Sequence, residues 1–120
     1  KNFSLLETSR GDYVLSPAYD IVNTRLHVDD TDFALDKGLF EDDYKSDDYK
    51  KSLHPSKIDF IEFGKRIGVM ESRIEKLLAP FLEKQKMIEE LTNRSFLHPS
   101  SKRAYLLLYN TKMNYLKGSK

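Results

Sequence analysis

Apolar and polar positions follow two different rhythms along this chain, and the change falls near residue 56. In the first part the apolar runs have strand length. Residues 3–7 (Phe-Ser-Leu-Leu-Glu) and 12–16 (Asp-Tyr-Val-Leu-Ser), separated by Thr8-Ser9-Arg10-Gly11, predict a β-hairpin. Gly11 offers the positive φ that a tight turn needs. Pro17 ends the second strand, because it has no N–H to give to a ladder. A turn centred on Arg10-Gly11 pairs residues whose numbers sum to about 21, which sets Asn2 opposite Tyr19 and beside Asp20.

From residue 56 the period becomes helical. Phe60, Ile61, Phe63, Gly64 and Ile67 mark one face of a short helix stopped by Gly68. Ile74, Leu77, Leu78, Phe81, Ile88 and Leu91 mark a longer pattern over about 71–94, with Pro80 inside it as a kink or a break. Tyr105, Leu108, Tyr109, Met113 and Leu116 mark a third helix, starting near Pro99 and ending at Gly118. These stripes read as core, and Tyr105 and Tyr109 as core or interface aromatics. The intervening residues 21–56 carry no clear period, and 41–52 read as an exposed acidic loop whose order the sequence leaves open. Leu-His-Pro-Ser occurs at 53–56 and again at 97–100. The flanking residues do not repeat, so the tetrapeptide reads as one helix-start device used twice, with Pro in the first turn and Ser as acceptor. The expected fold is α+β and mainly α. It is a single domain over 1–120, with a hairpin segment at 1–24, an irregular acidic stretch, and three to four amphipathic helices over 56–118.

Composition narrows the function classes. One domain's worth of chain, 39% apolar and 32% charged, is an ordinary globular profile rather than a disordered one. There is no cysteine, hence no disulfide frame and no thiolate metal site, which fits a reducing cytoplasm. No apolar run approaches the roughly 18 to 20 residues of a membrane span, so no membrane role is expected. Charge is lopsided: residues 1–48 hold 5 Lys/Arg against 12 Asp/Glu, and residues 49–120 hold 15 against 7. A basic helical face that meets nucleic acid is one reading of the second block. Solvated surface is the other, and it is preferred because acids share the same helices. His27, His54 and His98 lie 27 and 44 residues apart, a spacing without zinc-site character.

One pair of residues carries chemistry. An amide oxygen of Asn2 and the carboxylate of Asp20, brought side by side at the mouth of the hairpin, are the hard oxygen ligands that Mg²⁺ takes. Lys1 points a cation at the same place, where it would steady a phosphate. On geometry alone, Asp20 serves equally as a turn or cap residue ahead of Ile21-Val22-Asn23-Thr24.

Lys1-Asn2-Phe3-Ser4-Leu5 followed by Leu15-Ser16-Pro17-Ala18-Tyr19-Asp20-Ile21-Val22-Asn23-Thr24 resembles the HipA-like serine/threonine kinase family. Its members carry an Asp-x-His-x-Lys-Asn-Phe catalytic loop, a hairpin, and a Pro-x-Tyr-Asp segment. Phe63-Gly64-Lys65-Arg66-Ile67-Gly68 and Arg94-Ser95-Phe96-Leu97, with the Tyr105 helix, resemble the family's C-terminal lobe. The resemblance implies Asn2 and Asp20 as magnesium ligands and Lys1 beside the transferred phosphoryl group. It implies ATP as donor, a protein serine or threonine as acceptor, and a toxin–antitoxin setting with a DNA-binding antitoxin as partner. The base position five residues before Asn2 precedes this chain, as do the nucleotide-gripping elements, so the expectation is a kinase fragment that is inactive alone. A lobe parted from its counterpart would expose apolar surface and self-associate. The rival expectation is a non-catalytic helical interaction module.

Overall fold

The structure is a computed structural model, and it describes residues 2–31, 33–35 and 37–118. The architecture is α+β and mainly α, as the two rhythms predict. Among the described residues, a two-stranded antiparallel hairpin and a 3₁₀ turn are followed by five α-helices. The chain divides into two compact units, residues 1–30 and residues 31–120. Among the described residues no helix is long and apolar enough to cross a membrane.

In the first unit, β1 (Leu5–Glu7) pairs with β2 (Tyr13–Leu15). The register is Leu5↔Leu15, Leu6↔Val14 and Glu7↔Tyr13, so paired numbers sum to 20 rather than 21. The turn explains the slip. The Thr8 N–H donates to the Asp12 carbonyl at 2.7 Å and the Gly11 N–H to the Thr8 carbonyl at 3.0 Å. The loop therefore has three residues, with Gly11 at φ +79 in the left-handed position such loops require. A single 3₁₀ turn, Thr24–Leu26, closes the unit, and Arg25 pairs with Asp29 at 2.9 Å.

The second unit includes residues 41–52, where an exposed acidic loop was expected. Residues 47–52 instead form helix α1 (Asp47–Ser52). Ser46 caps it, accepting from the Tyr49 N–H, while Asp47 and Asp48 sit in the first turn and Lys50 and Lys51 in the last. That arrangement complements the helix dipole at both ends. Helix α2 (Lys57–Arg66) is capped by Ser56, with Asp59 closing the capping box. The carboxylate of Asp59 is fully buried and accepts four hydrogen bonds. Two come from the N–H and hydroxyl of Ser46, at 2.9 and 2.8 Å. Two come from the N–H and hydroxyl of Ser56, at 2.8 and 2.9 Å. One acid thus ties the caps of α1 and α2 together.

The pattern over 71–94 forms two helices, α3 (Glu71–Leu82) and α4 (Lys86–Arg94). The break lies at residues 83–85, beyond Pro80, which stays inside α3. Gln85 holds the junction: its side-chain amide donates to the Pro80 carbonyl at 2.9 Å, and its own N–H donates to the Tyr109 hydroxyl at 3.1 Å. Helix α5 (Pro99–Lys117) runs between Pro99 and Gly118, the ends that the sequence marks. The repeated tetrapeptide is used in two registers. Ser56 is the cap of α2 with Pro55 outside the helix, whereas His98 caps α5 with Pro99 as its first residue.

The apolar core of the second unit is thin, with Ile74 and Met113 as its buried large residues. Helices α2 and α3 meet at Gly64, where an added Cβ would lie 2.7 Å from Ile74 Cδ1. Helix α1 and the segment after it meet the end of α5. The His54 ring stacks on Tyr115 at 3.9 Å, and a Cβ at Gly118 would strike the Asp48 carboxylate.

Burial pushes the Asp59 carboxyl up, but the hydrogen bonds from Ser56 and Ser46 outweigh it and hold it below the ordinary value. A depressed carboxyl stabilises the fold above its unfolded pKa of about 3.9, and that stability is lost as pH falls through the lower folded value. Urea melts should show Asp59→Ala less stable by about 3 kcal/mol near neutral pH, because it strands the buried Ser46 and Ser56 donors. They should also show that Asp59→Asn weakens the loss of stability below about pH 4. Gly64→Val should cost about 1–3 kcal/mol in the same assay by forcing α2 off Ile74.

Candidate functional site

The mouth of the hairpin is built by polar bonds beyond the last ladder pair. Ser4 lies opposite Ser16, whose N–H donates to the Ser4 carbonyl at 2.8 Å. The Ser4 hydroxyl shares a 2.7 Å hydrogen bond with the Tyr19 hydroxyl. One residue further, the side-chain nitrogen of Asn2 donates to the Asp20 carbonyl at 3.0 Å. Asp20 has φ 52, a left-handed conformation that Asp tolerates better than most side chains.

Asn2 and Asp20 therefore meet, in a way that differs from the strand count. Continued at a sum of 20 the register would set Asn2 opposite Ala18; the bond to Asp20 forms past Pro17, where the ladder has ended, and there the Asn2 amide nitrogen donates to a main-chain carbonyl. This bond leaves the amide oxygen uncommitted. The Asp20 carboxylate has no hydrogen bond or ion pair with a described residue, and both residues are exposed. Two exposed oxygen ligands make a weak Mg²⁺ site unless phosphates and water complete the octahedron. Lys1, the expected phosphate contact, lies outside the described residues.

The Ser4–Tyr19 latch escaped strand counting, because Tyr19 lies past Pro17, where the ladder has already ended. The available signal was a hydroxyl two residues after Asn2 and another beside Asp20. Next to this latch the Ser16 hydroxyl oxygen is buried with no protein partner among the described residues.

The second unit holds two further polar clusters. Arg66 pairs with Asp42 at 2.7 Å and Glu62 at 2.8 Å, and lies over the rings of Phe40 and Tyr44 at 4.6 and 5.0 Å. Its hydrogen bonds to Glu62 and then to Asp42 raise the guanidinium above the ordinary value, and Arg66 in turn lowers the Asp42 carboxyl. An arginine so fully engaged braces the loop before α1 against α2 and is not poised for a ligand. Beside the His54–Tyr115 stack, a hollow of about 200 Å³ is lined by Phe33, Pro55, Phe60, Lys112 and Leu116. Among the described residues, no three His, Cys, Asp or Glu side chains gather where they would hold a metal ion.

No protein family, curated protein or solved structure matches this chain. The chemistry of the hairpin mouth rests on its own residues.

Tyr19→Phe removes the latch while keeping the ring. Hydrogen exchange at the Ser16 amide should quicken about fivefold, the equivalent of about 1 kcal/mol for one neutral hydrogen bond. An unchanged rate would show that the ladder alone holds the mouth shut.

Proposed function

We propose that this chain is part of an ATP-dependent serine/threonine protein kinase of the HipA-like type, the toxin of a toxin–antitoxin pair, acting in the cytoplasm. Residues 1–24 form the magnesium-holding edge of its active site, and residues 56–118 its helical C-terminal part. The observation that supports this most is the Asn2–Asp20 hydrogen bond, because it gathers the two motif residues at one hairpin mouth. The Asn2 oxygen and the Asp20 carboxylate would hold Mg²⁺, and Lys1 would face the phosphate. A magnesium ion held there would supply charge neutralisation to the nucleotide's phosphates.

In this reading the hairpin contributes position rather than bond-making. The Asn2 tie and the Ser4–Tyr19 latch hold the Asn2 side chain and the Asp20 main chain together at the mouth before nucleotide arrives. The proton acceptor belongs five residues before Asn2, and the nucleotide grip precedes it. Residues 1–120 alone therefore bind Mg²⁺-ATP weakly and transfer no phosphate. The protein substrate supplies a hydroxyl, and a DNA-binding antitoxin restrains the enzyme.

A second reading is a non-catalytic helical interaction module, favoured by the exposed Leu77 and Phe81 on α3. The genomic reading frame ahead of Lys1 separates the two, because the kinase requires an Asp five positions before Asn2. The decisive assay joins that upstream sequence to this chain and measures Mg-ATP-dependent autophosphorylation. Asp20→Asn should lower the rate at least about a hundredfold, since a lost metal contact costs several kcal/mol in the transition state. Undiminished activity in that variant would remove Asp20 from the metal role.

A further inference from the structure

We infer that the Tyr19 hydroxyl, acting through Ser4, is the positioning group for the Asp20 carboxylate and sets how tightly the hairpin mouth takes a divalent cation. The Asp20 backbone is held from both sides. Just before it, the Tyr19 hydroxyl shares a 2.7 Å hydrogen bond with the Ser4 hydroxyl. Just after its Cα, its own carbonyl accepts from the Asn2 side-chain nitrogen at 3.0 Å. Both tethers lead back to residues 2–4, which the Ser16 N–H joins to the hairpin through the Ser4 carbonyl at 2.8 Å. Pro17 has no N–H for a ladder, and the side-chain tethers take over beyond it. The Asp20 Cα lies between them, so they set the direction in which its side chain leaves the backbone.

That direction is not the one a free aspartate would choose. At φ 52 Asp20 stands in the left-handed region. For an L-residue this conformation costs about as much as one net hydrogen bond contributes, so the loss of one tether is enough to shift the balance. Released from Ser4, Asp20 spends more of its time at negative φ. Its carboxylate then leaves the place from which it and the Asn2 oxygen would share a cation. Partners of this kind, which orient a ligand without touching the ion, tune metal affinity in other sites. The inference rests on the reading of Asn2 and Asp20 as magnesium ligands and adds what governs their grip.

Mn²⁺ alone is the probe, since it takes the same oxygen ligands as Mg²⁺ and broadens nearby resonances. In the full 120-residue chain, broadening of the Asn2 side-chain NH₂ signals should need about two- to fivefold more Mn²⁺ in Tyr19→Phe and in Ser4→Ala than in the wild type, the loss of one neutral hydrogen bond. The double variant should do no worse than either single one. Ser4→Thr keeps a hydroxyl and should titrate as the wild type does. The strong amide–Hα contact within a left-handed Asp20 should weaken in the two variants that lose a hydroxyl. In the kinase completed by its upstream sequence, Tyr19→Phe should raise the Mg²⁺ concentration for half-maximal rate by more than it lowers the rate at saturating Mg²⁺. Broadening that Asp20→Asn leaves unchanged overturns the ligand reading, and the inference with it. Broadening that Asp20→Asn removes and Tyr19→Phe leaves unchanged overturns the inference alone. So do additive effects in the double variant, or a Ser4→Thr that behaves like Ser4→Ala.

Discussion

The second unit is organised around a charge taken out of water. A buried carboxylate is tolerated when donors surround it, and Asp59 has four of them, from two serines 10 residues apart in the chain. Each of those serines is also the cap of a helix. The same oxygen atoms therefore set where α1 begins, where α2 begins, and how the two starts lie against each other. With Ile74 and Met113 as the buried large apolar residues, specificity in this unit comes more from polar pairing than from core volume.

The parts of the fold that were legible from sequence are those governed by local rules. The span of α5 follows from Pro99 and Gly118, and that of α2 from its apolar spacing and Ser56. The parts that were not legible depend on partners far along the chain. Helix α1 looked like a solvated acidic loop because its cap, Ser46, is fixed by an acid 13 residues away. The break after α3 looked as if it belonged to Pro80, yet Gln85 sets it with the help of Tyr109 on α5. The candidate site was half legible. Motif letters and strand counting both brought Asn2 to Asp20, but the chain leaves the ladder after Ser16, so counting could not show that the Asn2 amide nitrogen meets the Asp20 main-chain carbonyl.

That difference bears on the hairpin as a device. A ribbon of two three-residue strands is marginal by itself. Leu5, Leu6, Val14 and Leu15 are exposed, so little burial holds it. The polar bonds at the mouth thus carry a large share of its order, and they sit at the end where the candidate ligands lie. Order in this hairpin is concentrated where chemistry would use it.

The contact of α1 with the end of α5 has a consequence for how the second unit comes into being. Asp48 lies against Gly118, and His54 against Tyr115, so the first helix of the unit rests on the last. A chain emerging from the ribosome at about 5–20 residues per second holds α1 without that support for roughly 4 to 14 seconds. During this interval the Ser46–Asp59–Ser56 knot can form, because its members lie close in sequence, but the surface that α5 covers stays open. Closure of the unit is then a late, long-range event, of the kind that slows folding and leaves apolar helices exposed to chaperones or to one another.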